Sequence, residues 1–271
     1  AWQSMGAQNT LEDYLTWATS TYPADRYMLI FWNHGGGSTS GVCFDETADY
    51  DGLTIHEIND ALYNFTEANP DFHLDLIGFD ACLMATYEAA AHMQYYADFM
   101  VASEELEPSL GWNYAWLNAL GENPALDAQG IGVAIADAYM EACLDENPDD
   151  YLSMSVLYLP AMDYLVSTME TYASYLSQAL DAGQLSTFSR ARQRMYAFGD
   201  FDSATSDMVD MMALIDGTRT IAPQTADVLQ TAYERVVRYN VGTRKFDYLT
   251  GMSVYFPSGS YEGDGCQETI P

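Results

Sequence analysis

Two side chains with complementary chemistry occupy matching places in this sequence. His34 follows the apolar run Tyr27-Met28-Leu29-Ile30-Phe31-Trp32-Asn33 and precedes Gly35-Gly36-Gly37. Cys82 closes the run Leu74-Asp75-Leu76-Ile77-Gly78-Phe79-Asp80-Ala81, forty-eight residues later. A thiol served by an imidazole is the minimum equipment of a cysteine nucleophile and its base. Read alone, a cysteine is most often a small buried hydrophobe and a histidine before glycines a loop cap. The matching positions favour the reactive reading.

The elements that must carry these groups follow from pattern. Each run is mostly apolar and reads as a buried parallel strand. In open α/β sheets ligands bind at the carboxyl ends of the strands, so two such strands side by side would bring His34 and Cys82 together. Cys82 is expected to open a helix from Leu83 to Tyr96, whose free N–H groups would lower the thiol pKa. The glycines let a peptide backbone approach closely, and the Gly35 and Cys82 amides are candidate oxyanion donors. His-Gly-Gly-Gly also suits the oxyanion hole of lipase-like esterases, but these need a Gly-x-Ser-x-Gly elbow. Gly37-Ser38-Thr39-Ser40-Gly41 has Thr39 at its centre and lies in the wrong place.

Further elements are predicted along the chain. Helices are expected from Leu11 to Tyr22, after Thr54, from Ala128 to Leu144, and over most of Pro160 to Tyr239. The helix after Thr54 carries Ile58, Leu62 and Phe65 on one face. Strands are expected at 26–33, from 72 to Cys82, at 99–103, 154–159 and 252–256. The alternation implies an α/β fold, a mostly parallel sheet covered on both faces. Residues 1–159 would form the α/β core. Residues 160–271 would form a largely helical part that returns the strand at 252–256 to the same fold. Gly35 to Gly52 reads as a long glycine-rich, acidic loop, and its length marks it as functional.

Composition narrows the function. Forty acids against nine bases give a formal charge of −31. Phosphate backbones need a basic face, so nucleic acid is excluded as a partner. The charge reads first as a solvated acidic surface and second as an attractor of cationic peptides. A single lysine offers trypsin-like enzymes little, which suits a secreted or cell-surface protein. No apolar run reaches membrane-spanning length. No secretion signal opens the sequence, which starts in mid-pattern as a processed or truncated product would. The four cysteines contain no C-x-x-C pair, so neither a zinc site nor a disulfide framework is indicated. One bridge among Cys43, Cys143 and Cys266 stays open. His56, His73 and His92 lack the paired spacing of metal ligands. Asp45, Glu46, Asp49 and Asp51 are crowded enough to hold Ca²⁺, although they do not match an EF-hand.

Taken together, these segments resemble the clostripain family of cysteine peptidases, within the clan that includes the caspases. The resemblance rests on Tyr22-Pro23-Ala24-Asp25, Trp32 to Gly37, Gly78 to Met84, Ala102-Ser103-Glu104-Glu105 and Gly251 to Pro257. It is strong over about residues 10–120, weak through the helical stretch, and returns near residue 250. It implies a three-layer α/β/α caspase-like sandwich and a secreted cysteine endopeptidase that requires no cofactor, although some relatives depend on calcium, with His34 as base and Cys82 as nucleophile. It also implies an acidic pocket for Arg or Lys, lined by Asp80 and by a second acidic wall for which Glu105, Glu107 and Asn113 are the candidates. Asp80 could instead simply steady the Cys82 turn. Asn113 departs from the Asp that the family pattern carries in the Gly-Trp-x-Tyr box. No Lys or Arg lies between Gly35 and Leu74, so self-cleavage there by a basic-specific enzyme is not expected. The family's usual upstream strand is also missing before Ala1. The rival reading is a non-catalytic acidic surface or binding domain that keeps the fold, which an occluded site around Asp80 would favour. Oligomeric state is not legible.

Overall fold

The computed structural model describes residues 3–199, 206–243 and 249–257. In chain order the elements are α1 (Gln8–Thr21), β1 (Met28–Trp32), α2 (Gly37–Ser40), β2 (Val42–Asp45), β3 (Asp51–Leu53), α3 (Ile55–Ala68), β4 (Leu74–Asp80), α4 (Tyr87–Met93), β5 (Ala97–Ala102) and α5 (Leu117–Glu122). There follow α6 (Ala128–Glu146), β6 (Ser153–Tyr158), α7 (Met162–Asp181), α8 (Leu185–Arg192), β7 (Met208–Asp210), α9 (Met211–Thr218), α10 (Pro223–Val236), β8 (Val237–Gly242) and β9 (Ser253–Tyr255).

The main sheet has the order β1-β4-β5-β6-β8. β1, β4 and β5 are parallel, while β6 opposes both its neighbours. Four of these five strands therefore point the same way. Alternation along β4 divides the core. Ile77 and Phe79 face a helical layer that includes Ile58 and Leu62 of α3, Leu165 of α7 and Leu229 of α10. Leu76 faces Ile131, Ile135 and Tyr139 of α6. Phe31 and Phe79 stack across β1 and β4, with centroids 5.2 Å apart. The result is three layers, α/β/α, with one apolar body on each face of the sheet.

Local chemistry explains several boundaries. Thr54 accepts the Glu57 amide at 3.1 Å, and Glu57 returns a carboxylate to the Thr54 amide at 2.9 Å. This capping box starts α3. Its buried residues Ile55, Ile58, Leu62 and Phe65 follow the helical period.

The structure departs from the predicted elements in four places. β8 follows α10 without a break, in a region expected to be helical to Tyr239. Its half-exposed residues give no clear strand pattern; pairing with β6, as in Tyr239↔Val156, makes it a strand. β9 falls where a strand was expected but pairs with β7 in a separate two-stranded sheet. The expected loop at 35–52 contains an irregular β2–β3 hairpin, with left-handed backbone at Cys43, Asp49 and Tyr50. Finally, no helix begins at Cys82. Leu83 has φ +67°, the Leu83 and Ala85 amides bond back to Glu105 and Ser103, and α4 starts only at Tyr87, capped by Thr86. The helix-terminus activation of the thiol is therefore absent.

Candidate active site

Trp32 of β1 and Asp80 of β4 are register partners. His34 and Cys82 each lie two residues beyond their partner, so equal steps past the ends of adjacent parallel strands place both at one sheet edge. The backbone seals this arrangement. A Cβ on Gly35 would lie 2.3 Å from the Cys82 carbonyl oxygen and 3.1 Å from the Ala81 Cβ. Only glycine permits the His34-Gly35 turn to lie against Ala81-Cys82. His34 is exposed, and its carbonyl accepts the Cys43 amide at 3.1 Å. The Gly35 and Cys82 amides donate to no other backbone group among the described residues. A Cβ on Gly35 would also lie 3.1 Å from the Cys82 nitrogen, so the two backbones run side by side.

The third wall is the segment after β5. The Glu107 amide donates to Cys82 Sγ at 3.2 Å, and the Glu107 carbonyl lies 3.7 Å from the same sulfur. Burial pushes the Cys82 thiol up, the Glu107 amide opposes this, and Glu107 and Glu105, wherever they are ionised, add to the rise. These influences favour the thiol over the thiolate at Cys82.

Asp80 ends β4 on the α6 face of the sheet. It is buried, and its carboxylate accepts the Trp112 amide at 2.9 Å and the Tyr114 hydroxyl at 3.1 Å. Gly78, on the same face, makes room for this: a Cβ there would sit 2.9 Å from the Trp112 ring. Burial raises the Asp80 pKa, and the two hydrogen bonds hold it back. Glu107 is pushed well above the carboxylate range by burial first and the Asp80 charge second.

The sequence profile of the clostripain family matches residues 2–261. The chain belongs to the clostripain family. It is 33% identical over 129 residues to clostripain of Hathewaya histolytica, an alignment covering 41% of this chain and 23% of that protein. The match thus spans about a quarter of clostripain's own length. A secreted C11 cysteine protease from Bacteroides thetaiotaomicron, solved with an irreversible peptide inhibitor, superposes with a TM-score of 0.72 at 20% identity, over 98% of this chain and 75% of that one. An inactive zymogen C11 protease from Parabacteroides distasonis gives 0.68 at 19%, over 94% and 71%. At these identities the likeness establishes the fold, the caspase-like α/β/α sandwich.

Within this clostripain-family chain, Asp80, Cys82 and Glu107 come together at one place. Glu105 does not join them as a free acid: it accepts the Leu106 and Gly199 amides, each at 2.9 Å, and the Tyr196 hydroxyl at 2.9 Å. Asn113 is exposed and accepts the Ala115 amide at 3.0 Å, capping a short 3-10 turn. In the acidic hairpin, Asp45 accepts the Met5 and Thr47 amides and the Thr47 hydroxyl, and Asp51 accepts the Ser4 hydroxyl. Among the described residues no group of three or more His, Cys, Asp or Glu side chains is placed to hold a metal ion. His56 and His92 pack ring against ring at 5.1 Å, and His73 meets Asp98 at 3.1 Å. Cys43 and Cys143 are unbridged, while Cys266 lies outside the described residues. No described helix is long and apolar enough to cross a membrane. A cleft of about 580 Å³ beside β1 reaches His34, lined also by Leu11, Tyr14, Phe31 and Cys43, but touches none of Asp80, Cys82 or Glu107. Sequence reading did not assign Trp112 and Tyr114 as the donors to Asp80. The signal lay in Gly78, two residues before Asp80 on the same strand face, and in the Gly111-Trp112-Asn113-Tyr114 box.

Proposed function

We propose that this chain is a secreted cysteine endopeptidase working through a His34/Cys82 dyad and cleaving after Arg or Lys. The observation that carries the reading is the equal offset of His34 and Cys82 past the register pair Trp32↔Asp80, in a chain of the clostripain family. Peptides and proteins are then the substrates, in keeping with the peptide inhibitor bound by the Bacteroides relative. Secretion is supported by the same relative, named as secreted, and by the single lysine.

The chemistry follows from the groups present. His34 takes the Cys82 thiol proton as Sγ attacks the scissile carbonyl. The negative oxygen that develops is held by the Gly35 and Cys82 amides. Collapse breaks the C–N bond, and His34 returns its proton to the leaving amine. Water then attacks the thioester, again with His34 as base, releasing the acid and restoring the thiol. Specificity for a cation is assigned to Asp80. No Lys or Arg among the described residues pairs with Asp80 or Glu107. This leaves the acid uncompensated where the substrate side chain would enter.

The test is hydrolysis of fluorogenic peptides ending in Arg, Lys, Asn, Asp or Ala under reducing conditions, with wild type beside Cys82→Ala. Turnover of the Arg or Lys peptide, lost in the variant, is the expected result. Turnover only after a neutral residue would keep the peptidase and remove Asp80 from specificity. Absence of thiol-dependent turnover, with and without Ca²⁺, would favour a domain that keeps the fold for binding alone.

A further inference from the structure

The carboxyl of Glu107 is the one feature beside Cys82 that the reaction above does not use. Both its oxygens are buried, and neither makes a hydrogen bond of regular geometry. The Trp112 indole and the Ala81 backbone lie near enough only to temper the effect of burial. A buried polar group without a partner costs free energy, and a buried charge without one costs more. Unsatisfied buried groups in a folded protein call for an explanation. Its charged and titratable neighbours are Asp80 and Cys82 at the end of β4, Tyr139 and Cys143 on α6, Tyr114 from the 3-10 turn, and Glu105 two residues back. None of these is a cation. Asp80, meanwhile, is already capped: the Tyr114 hydroxyl sits on one oxygen and the Trp112 amide on the other. Tyr114 is 41% exposed, so the capping hydroxyl hangs from a surface segment.

We propose that the specificity site is capped by the protein itself and linked to a proton: an arginine or lysine side chain enters by displacing the Tyr114 hydroxyl from Asp80, and its charge drives a proton from Glu107 into solvent. Asp80 and the newly ionised Glu107 then share the bound cation. The pair carries a single negative charge before binding and two after, so a neutral side chain gains nothing by displacing the cap. Discrimination comes from what the site lacks when empty. Glu107 is also well placed to report occupancy, because its own amide and carbonyl bracket Cys82 Sγ. The inference rests on the basic specificity proposed above.

Calorimetry tests it. The Cys82→Ala chain, which cannot turn over, is titrated with an Arg-ending peptide and with the isosteric neutral citrulline peptide, in two buffers of different ionisation enthalpy. About one proton should leave on binding the Arg peptide, and none with citrulline. Adding Glu107→Gln should abolish that release. In the active enzyme, KM for the Arg peptide should fall as pH rises through the raised range in which Glu107 titrates, and Glu107→Gln should flatten the profile. Tyr114→Phe keeps the ring, removes the capping hydroxyl and should lower KM for Arg. It also provides a second test should Glu107→Gln fold poorly. An Arg peptide that binds without releasing a proton would overturn the inference while leaving basic specificity intact. Failure to bind or cleave any basic peptide would overturn the specificity reading, and the inference with it.

Discussion

The reactivity of Cys82 depends on what surrounds its sulfur. Burial first, and two nearby glutamates after it, hold the thiol up, while the Glu107 amide and Cys82's own amide favour the thiolate. A raised thiol pKa means that the free enzyme should be a poor target for a small alkylating agent near neutral pH. Iodoacetamide labelling of the Cys82 peptide, followed by mass spectrometry, should accelerate only above the ordinary thiol range of about 8.5. A plateau already reached at neutral pH would show a preformed thiolate and contradict this account. His34 and Cys82 were both legible as residues, because each closes an apolar run at the same point. The capping of Asp80 was not, since Trp112 and Tyr114 reach it only after the chain has folded across thirty-odd positions.

At the scale of elements, β4 carries Asp80 and leads into Cys82, α3 packs in the core under the sheet, and both were readable. A seven-residue apolar strand and a Thr54/Glu57 capping box are local signals. β8 and the β2–β3 hairpin were not readable, for opposite reasons. β8 continues a helix without a break and becomes a strand only by pairing with β6, whereas the hairpin contains left-handed residues that defeat a simple alternating pattern. The absent helix start at Cys82 is a third case: the left-handed turn at Leu83 is imposed by bonds to the segment after β5. Two substitutions test these elements. Thr54→Ala should cost about 1 kcal/mol in urea unfolding with little effect on turnover, since it removes only a cap. Gly78→Ala puts a methyl into the Trp112 ring and should cost about 1–3 kcal/mol. It should also raise KM for an Arg peptide, because Trp112 carries a donor to Asp80. An unchanged KM would detach Trp112 from specificity.

For the whole molecule, the acidic excess and the buried acids act in the same direction. Glu104 accepts the Gly251 amide at 2.8 Å, and Asp210 holds the Thr250 amide at 2.7 Å, joining the β5 end to the chain before β9. Burial raises both, and the Asp210 charge adds to the rise at Glu104. A carboxyl whose folded pKa is raised contributes its full stability below the unfolded value of about 4.3. That contribution is lost as pH climbs through the folded value. Repulsion among surface acids at a formal charge of −31 adds to the same trend. The melting temperature should therefore fall from mildly acidic to alkaline pH, recover in part with added salt, and depend less on pH in Glu104→Gln. A melting temperature that rises with pH would contradict the assignment. The fold class was visible in the alternation of strands and helices, and the charge in composition; the pairing of buried acids was visible in neither. The central claim is that one sheet edge joins His34 and Cys82 into a peptidase centre. Its most direct test is exposure of the chain to an Arg-ending peptidyl acyloxymethyl ketone, with the modified residue mapped by mass spectrometry. The account predicts a single adduct on Cys82, formed far more slowly in His34→Ala. Equal labelling of Cys43 and Cys82, or no dependence on His34, would contradict it.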